Sequence, residues 1–254
     1  MNWKAIVLNT LKEAIRNKIF YLLFFFGLFF VFSSRIIGLL TIGDQTKVIK
    51  DVGLASINFF CVLIAIFTGI NLVHKEIDKK TIYTILSKPI SRDQFILGKF
   101  LGLLLTVGIA LASMATIFIL FLVLTTGKFE ASLLLYFLML FMELAILISI
   151  SLLFSSFSTP ILSSIFTITI YLIGQITWTY NHFKYLLKTP LTRVLTDVVY
   201  YLLPNLHKYN VKNEIVLGTP VAIGQLLVAV GYSVLYIGCI LFATLMIFRK
   251  REFQ

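Results

Sequence analysis

Side chains able to do acid–base, metal or nucleophilic chemistry are few in this 254-residue chain, and they are scattered. The three histidines, His74, His182 and His207, fall in separate places, whereas a metal site needs ligands that converge at bonding distance. Cys61 and Cys239 each lie inside an apolar run and read as small buried hydrophobes rather than a disulfide or a metal pair. No G-x-x-x-x-G-K-S/T loop that would cradle a nucleotide phosphate occurs, nor any H-E-x-x-H helix or G-x-S-x-G elbow. Met139 and Met142 stand at i and i+3, a spacing that suits packing better than copper. The chain therefore carries no catalytic set and no cofactor or metal site that its sequence can show.

One ionisable residue stands where an apolar chain should not have it. Glu143 lies eleven residues into the apolar run 132–154, about 16 Å along a helix and so near the middle of a bilayer core about 30 Å thick. A carboxylate at that depth is costly unless it is paired, neutral or facing water. Two roles fit it: a place on a polar pathway or switch, or a hydrogen-bonded glutamate that glues helices through Ser149, Ser151 or a neighbouring span. Arg35, towards the outer end of the first span, can snorkel to the surface, and its depth differs from that of Glu143.

The elements that must position these residues follow from composition. Hydrophobic residues make up 59% of the chain and charged residues 13%, against about 45–50% and about 25% for a soluble globular domain. So few charges cannot cover a core of this size with polar surface, which leaves the bilayer as solvent. The same figures exclude disorder, a disulfide scaffold and a large water-soluble appendage. Six runs are long enough to span: 20–40, 52–73, 95–125, 132–154, 161–179 and 221–248. The expected fold is an all-α integral membrane protein, one transmembrane domain over 1–254. The third run is long enough for its first turns to lie below the membrane plane. The first run is too long, and lacks the small-residue cleavage site, for a removable signal.

Net charge is +11, from 22 Lys and Arg against 11 Asp and Glu. That excess would raise nucleic-acid binding in a soluble protein, but here the basic residues flank apolar runs, where they set topology and meet anionic lipid. With six spans, the N-terminal stretch, the connection 74–99 and the C-terminus share one side and hold thirteen basic residues. Opposite them, the short connections hold Lys47, Lys50 and Lys128. Both termini are thus expected in the cytoplasm. The long segment 180–220 carries five basic residues outside, and long loops weigh little in this rule.

Three segments between the runs have patterns of their own. In 1–19, Trp3, Ile6, Val7, Thr10, Leu11, Ala14 and Ile15 recur at helical spacing opposite Lys4, Asn9, Lys12, Glu13 and Arg16, which predicts an amphipathic helix in the cytoplasmic interface. In the external segment 180–220, Leu191, Val194, Leu195, Val198 and Leu202 predict a helix opened by Pro190 and closed by Pro204. The stretch 205–220 that follows reads as polar and turn-like. The third is the cytoplasmic segment 74–94. Residues 76–86 predict a short helix with Ile77, Ile85 and Leu86 apolar and Asp78, Lys79 and Lys80 exposed. Pro89 ends it. Ser91 with Gln94 has the spacing of a capping box that starts the helix leading into the third span. The result is a helix–turn–helix knuckle with mixed charge at its tip, a shape suited to docking on another protein.

Here the sequence resembles the ABC-2-type permeases, the membrane subunits of ABC exporters. Lys75-Glu76, Lys80-Thr81, Ile85-Leu86-Ser87-Lys88-Pro89-Ile90-Ser91-Arg92 and Leu97-Gly98-Lys99 are similar to that family's acidic residue, Gly-Thr, Leu-Leu-Ser-x-Pro-x-Ser-Arg and Gly-Lys signature. Lys80 stands where the family usually has glycine. The interfacial helix, six spans, external helical segment and basic tail also match the family's plan, and the chain looks closest to the branch named for multicopper-enzyme maturation.

The resemblance implies a non-catalytic permease in the plasma membrane of a prokaryote. It would pair with a second copy or a homologous permease and bind two copies of a cytoplasmic ABC ATPase, which hold the ATP and Mg. Glu76, Ile77, Asp78, Lys79, Lys80, Thr81, Ser87, Lys88, Pro89, Ser91 and Arg92 would form the coupling segment that sits in the ATPase, flanked by the N-terminal helix. Two other classes compete. A self-sufficient channel or secondary transporter calls for inverted repeats or several buried charges. A lipid-modifying enzyme needs a clustered set, which His182, Asp197, His207 and Glu214 do not form.

Overall fold

The computed structural model describes residues 3–78, 92–177, 197, 200, 202–221 and 223–250. Helix α1 spans Trp3–Ile15, α2 Lys18–Leu39, α3 Gln45–Asp78, α4 Arg92–Thr126, α5 Ser132–Ser155 and α6 Pro160–Ile176. A short 3-10 turn, Leu206–Tyr209, and helix α7, Lys212–Leu217, precede the last helix, α8, Ile223–Lys250. The punctuation is local. Asn17, in an extended conformation, accepts the Ile19 N–H at 3.0 Å and starts α2 immediately after α1. Pro160 occupies the first turn of α6, where its missing N–H costs nothing. Gly218, at φ 72°, ends α7 in the left-handed conformation.

Among the described residues, five helices (α2, α3, α4, α5 and α8) are long and apolar enough to cross a membrane. Together with the shorter α6 they alternate in direction. The α1 end of the bundle collects the end of α3, the starts of α4 and α6, and the end of α8. The far end collects the α2–α3 and α4–α5 connections and α7. α3 and α5 form the interior, with 67% and 72% of their spans buried inside the chain, whereas α2 and α8 bury only 22% and 17%. The centre is close-packed aliphatic: Leu54, Ile57, Ile64, Leu103, Leu144, Leu147 and Ile148 are fully covered. Most buried serine and threonine hydroxyls do not break this core because they turn back on their own helix; Thr10 and Ser163 are exceptions. Thr68 donates to the Ile64 carbonyl at 2.5 Å, Thr106 to Gly102 at 2.8 Å and Ser151 to Ile148 at 2.8 Å, as polar groups must where no water reaches.

Two sequence expectations need correction. The stretch 205–220, expected to be polar and turn-like, is instead a wedge of the core: Leu206, Tyr209, Val211 and Ile215 are buried. Tyr209 donates its hydroxyl to the Ala229 carbonyl at 3.0 Å, and the Asn205 N–H bonds the Tyr232 hydroxyl at 3.0 Å. Its four inward residues are spread over a 3-10 turn and a single helical turn, so neither a period of 3.6 nor one of 2 betrays them. The wedge meets α6, where a Cβ on Gly174 would lie 2.8 Å from the Pro204 carbonyl oxygen. α6 is accordingly short, 17 residues or about 26 Å. Irregular backbone beside a membrane helix is tolerated when protein covers it, and here α6 and α8 do so. The second correction is at the other end. α3 runs unbroken through Glu76, Ile77 and Asp78, so these residues extend the second span rather than open a separate helix. Of the external helix expected over 191–202, Asp197, Tyr200 and Leu202 are described, and all three are helical.

Candidate functional site

The candidate site at the α1 end is built around the two helices that enter and leave the cytoplasmic segment. Lys79, Lys80, Thr81, Ser87, Lys88, Pro89 and Ser91 lie outside the described residues, as does His182 in the external segment. Glu76, Ile77 and Asp78 are the last helical residues of α3, and Arg92 is the first of α4, where the Ser91–Gln94 spacing placed the helix start. What the structure adds is the bracing of α4 immediately after that start.

α1 lies along the first turns of α4. Ile6, Val7, Thr10 and Ala14, four of the residues on its expected apolar stripe, are buried. The close approach depends on two glycines one turn apart. A Cβ on Gly98 would lie 2.9 Å from Ile6 Cγ2, and one on Gly102 would lie 2.6 Å from Thr10 Cβ and 2.9 Å from the Val7 carbonyl oxygen. Between the two glycines Lys99 is 1% exposed, with its ammonium 5.9 Å from the centre of the Phe95 ring. From the other side the end of α8 closes on the same turns. Phe248 stacks on Phe95 at 5.8 Å, and the Arg249 guanidinium grips the Asp93 carboxylate through two hydrogen bonds, Nε to Oδ1 at 2.9 Å and Nη2 to Oδ2. The base of α4 is thus held by both ends of the chain at once.

Glu143 forms the second polar feature. It is 1% exposed, and the Gln175 amide of α6 donates to its Oε1 at 2.5 Å. Tyr171, one turn before Gln175, lies beside it, and Tyr136 and Tyr209 approach from α5 and the wedge. The Tyr136 hydroxyl is itself tied to the Leu54 carbonyl of α3 at 3.0 Å. Of the partners foreseen for Glu143, the neighbouring span is the one used. Ser149 and Ser151 donate to carbonyls of their own helix, and Arg35 is exposed and makes no pair with Glu143. Met142 beside it accepts the Ser233 hydroxyl at 3.6 Å, and among the described residues no cluster of three metal-ligating side chains occurs. The arrangement joins α5, α6 and the wedge by polar contacts in an otherwise apolar interior. Sequence reasoning missed Gln175 and Tyr171. Their i, i+4 spacing in an apolar run was the available signal.

A family model described as ABC-2 family transporter protein matches residues 5–253 of the chain. The chain belongs to that family. The match covers α1, every long helix, the wedge and the basic tail, so the resemblance seen in the cytoplasmic segment extends over the whole fold. No curated protein matches the chain significantly. Membership makes this a multi-pass membrane component of a transporter, in keeping with its all-helical fold. The end of α3 carries the signature residues Lys75 and Glu76 and the braced base of α4 carries Leu97, Gly98 and Lys99.

Proposed function

We propose that this ABC-2 protein is the permease subunit of an ABC exporter, and that residues 76–92 couple it to a separate cytoplasmic ATPase. The observation that carries the reading is the clamp on α4. A helix that merely crossed the membrane would need no glycine-seated α1 against its first turns and no pairing with the last turn of α8. A helix that receives force from a partner at its cytoplasmic end does need them, because a loosely held helix would absorb the motion instead of transmitting it. The mixed charges of Glu76, Asp78, Lys79, Lys80, Lys88 and Arg92 suit register and encounter with a charged partner more than raw affinity.

In this reading two copies of the permease, or this chain and a homologous one, flank the path, and two ATPase subunits hold ATP and Mg. Both termini and the 76–92 segment face the cytoplasm of a prokaryotic cell, as the distribution of Lys and Arg supports. The chain itself contributes no catalytic group.

The test is co-purification and coupled hydrolysis. The chain is expressed with the ABC ATPase encoded beside its gene and reconstituted in nanodiscs, and Glu76→Ala with Arg92→Ala is compared with the native sequence. The reading expects the ATPase to co-purify and the double variant to lose either the association or the permease-dependent hydrolysis. A chain that purifies alone and dissipates an ion gradient without ATP would overturn it in favour of a self-sufficient channel.

A further inference from the structure

At the far end of the bundle, opposite both termini, the α2–α3 connection, the α4–α5 connection and α7 border an open cavity of about 640 Å³. Its level is that of the helix ends, where α3 and α5 begin and α4 stops, which is the boundary between hydrocarbon and water for helices of these lengths. The lining from the α2–α3 and α4–α5 connections is polar, while Val216 and Leu217 of α7 provide an apolar wall.

The charges there can be matched one by one. Lys50, whose side chain is only 9% exposed, holds both Glu130 oxygens, at 2.5 and 2.7 Å. Lys47 is paired with Asp44 at 3.4 Å, and next door Lys212 meets Asp51 at 2.8 Å. Three carboxylates thus answer three ammonium groups, and Glu214, also on α7, does not line the cavity. Lys128 lines it as well and has no carboxylate partner among the described residues.

The hydroxyls divide the same way. Thr125 and Thr126 donate to carbonyls of α4, to Phe121 at 2.9 Å and to Leu122 at 2.8 Å. Thr46 and Ser132 line the cavity, and among the described residues their hydroxyls make no hydrogen bond. The groups left over are therefore an ammonium and two hydroxyls, donors or able to donate, while the acidic acceptors are occupied by lysines. A sugar, which presents donors and acceptors alike, would find few free acceptors here. An anion rich in acceptor oxygens finds donors, and Lys47, half exposed on a long pair to Asp44, can swing to it as a second cation.

We propose that this cavity binds a phosphate group, with Lys128 as its principal cation and Thr46 and Ser132 as hydroxyl donors. Charge-assisted bonds of this kind are the strong ones. The phosphate can come from two sources, a lipid headgroup whose chains lie along the apolar wall of α7, or a phosphate dissolved outside the membrane. The inference does not rest on the exporter reading, since it uses no residue of the α1 end.

The full chain, delipidated in an uncharged detergent, is offered either phosphatidylglycerol, with bound lipid counted by native mass spectrometry, or inorganic phosphate, with thermal stability followed at chloride-matched ionic strength. Lys128→Gln should weaken binding about tenfold or more, the scale of one hydrogen bond to a charged group. Lys128→Glu should abolish it, and Thr46→Ala with Ser132→Ala should weaken it without touching a charge. Lys4→Gln, an exposed basic residue at the opposite end, should change nothing. Response to both probes, sensitive to Lys128, supports the site with phosphate alone sufficient. Response to the lipid only, equally sensitive, supports it as a headgroup site. Binding that ignores Lys128, or falls as much with Lys4→Gln, overturns the proposal, as does failure of both probes to bind.

Discussion

Glu143 is held by one neutral amide, and what that bond does decides between its two roles. If it is glue between α5 and α6, the chemistry of the pair matters and the charge does not. Glu143→Gln keeps the volume and two hydrogen-bonding atoms, so it should cost less than about 1 kcal/mol, in line with the modest worth of interhelical bonds in membranes. Gln175→Leu strands the buried carboxyl and should cost about 1–3 kcal/mol, the penalty for an unsatisfied group. Removing both partners with leucine should recover most of that loss, because nothing is left unsatisfied. Equilibrium unfolding in mixed detergent micelles measures all three. A pathway role gives another pattern, in which Glu143→Gln leaves stability alone and removes transport. The position of Glu143 was legible in the sequence, since a carboxylate in the middle of an apolar run is conspicuous. Its partner was not, because which side chain of α6 reaches Glu143 depends on where Pro160 starts that helix and on how the two helices cross.

The pair of α1 and α4 shows the same division one scale up. The period of Trp3, Ile6, Val7, Thr10 and Ala14 disclosed an amphipathic helix, and the structure has it over Trp3–Ile15. What the apolar stripe touches was not readable, because lipid and protein satisfy such a face equally well. Gly98 and Gly102 supply the answer only once the helices are placed. Gly102→Val should therefore separate α1 from α4. The new atoms meet the Val7 carbonyl oxygen, which is backbone and cannot turn aside, and overpacking of this kind costs about 1–3 kcal/mol. Asn9→Ala, on the exposed face of α1, is the control. There the gain in helix propensity, up to about 1 kcal/mol, should stand alone. Thermal unfolding and protease access to the N-terminal segment separate the two variants, and in the coupled complex Gly102→Val should also lower permease-dependent hydrolysis. The wedge was the least legible element. Its inward residues follow no helical or strand period, and only the packing of α6 and α8 around Leu206 and Tyr209 reveals that it belongs to the interior.

For the whole molecule, the uneven burial of the helices bears on how copies pair. α2 and α8 are the outer helices, but their outward faces differ in kind. α2 presents Phe25, Phe26, Phe29 and Phe32, bulky side chains that suit lipid tails. α8 also exposes Leu227, Val228, Leu235 and Phe242, but among them it presents Gly224, Gly231 and Gly238, none with another atom within 4 Å of a built Cβ. Their spacing of seven keeps them near one line of the helix. Glycine gains little from lipid but lets another helix approach closely, and in membranes it is packing rather than hydrophobicity that joins helices. The second permease required by the proposed mechanism is therefore expected along α8. Gly231→Leu with Gly238→Leu should lower the dimer fraction in bilayers, counted by single-molecule photobleaching, although leucine is as acceptable to lipid as any residue. Phe29→Ala on α2 should leave it unchanged. Cys239 offers an independent reporter, because it is exposed beside Gly238 while Cys61 is buried. Oxidative cross-linking through Cys239 should trap native dimers and fail in the double leucine variant. If the α2 variant separates the copies and the α8 variant does not, the pairing face is α2, and the glycines of α8 then face lipid.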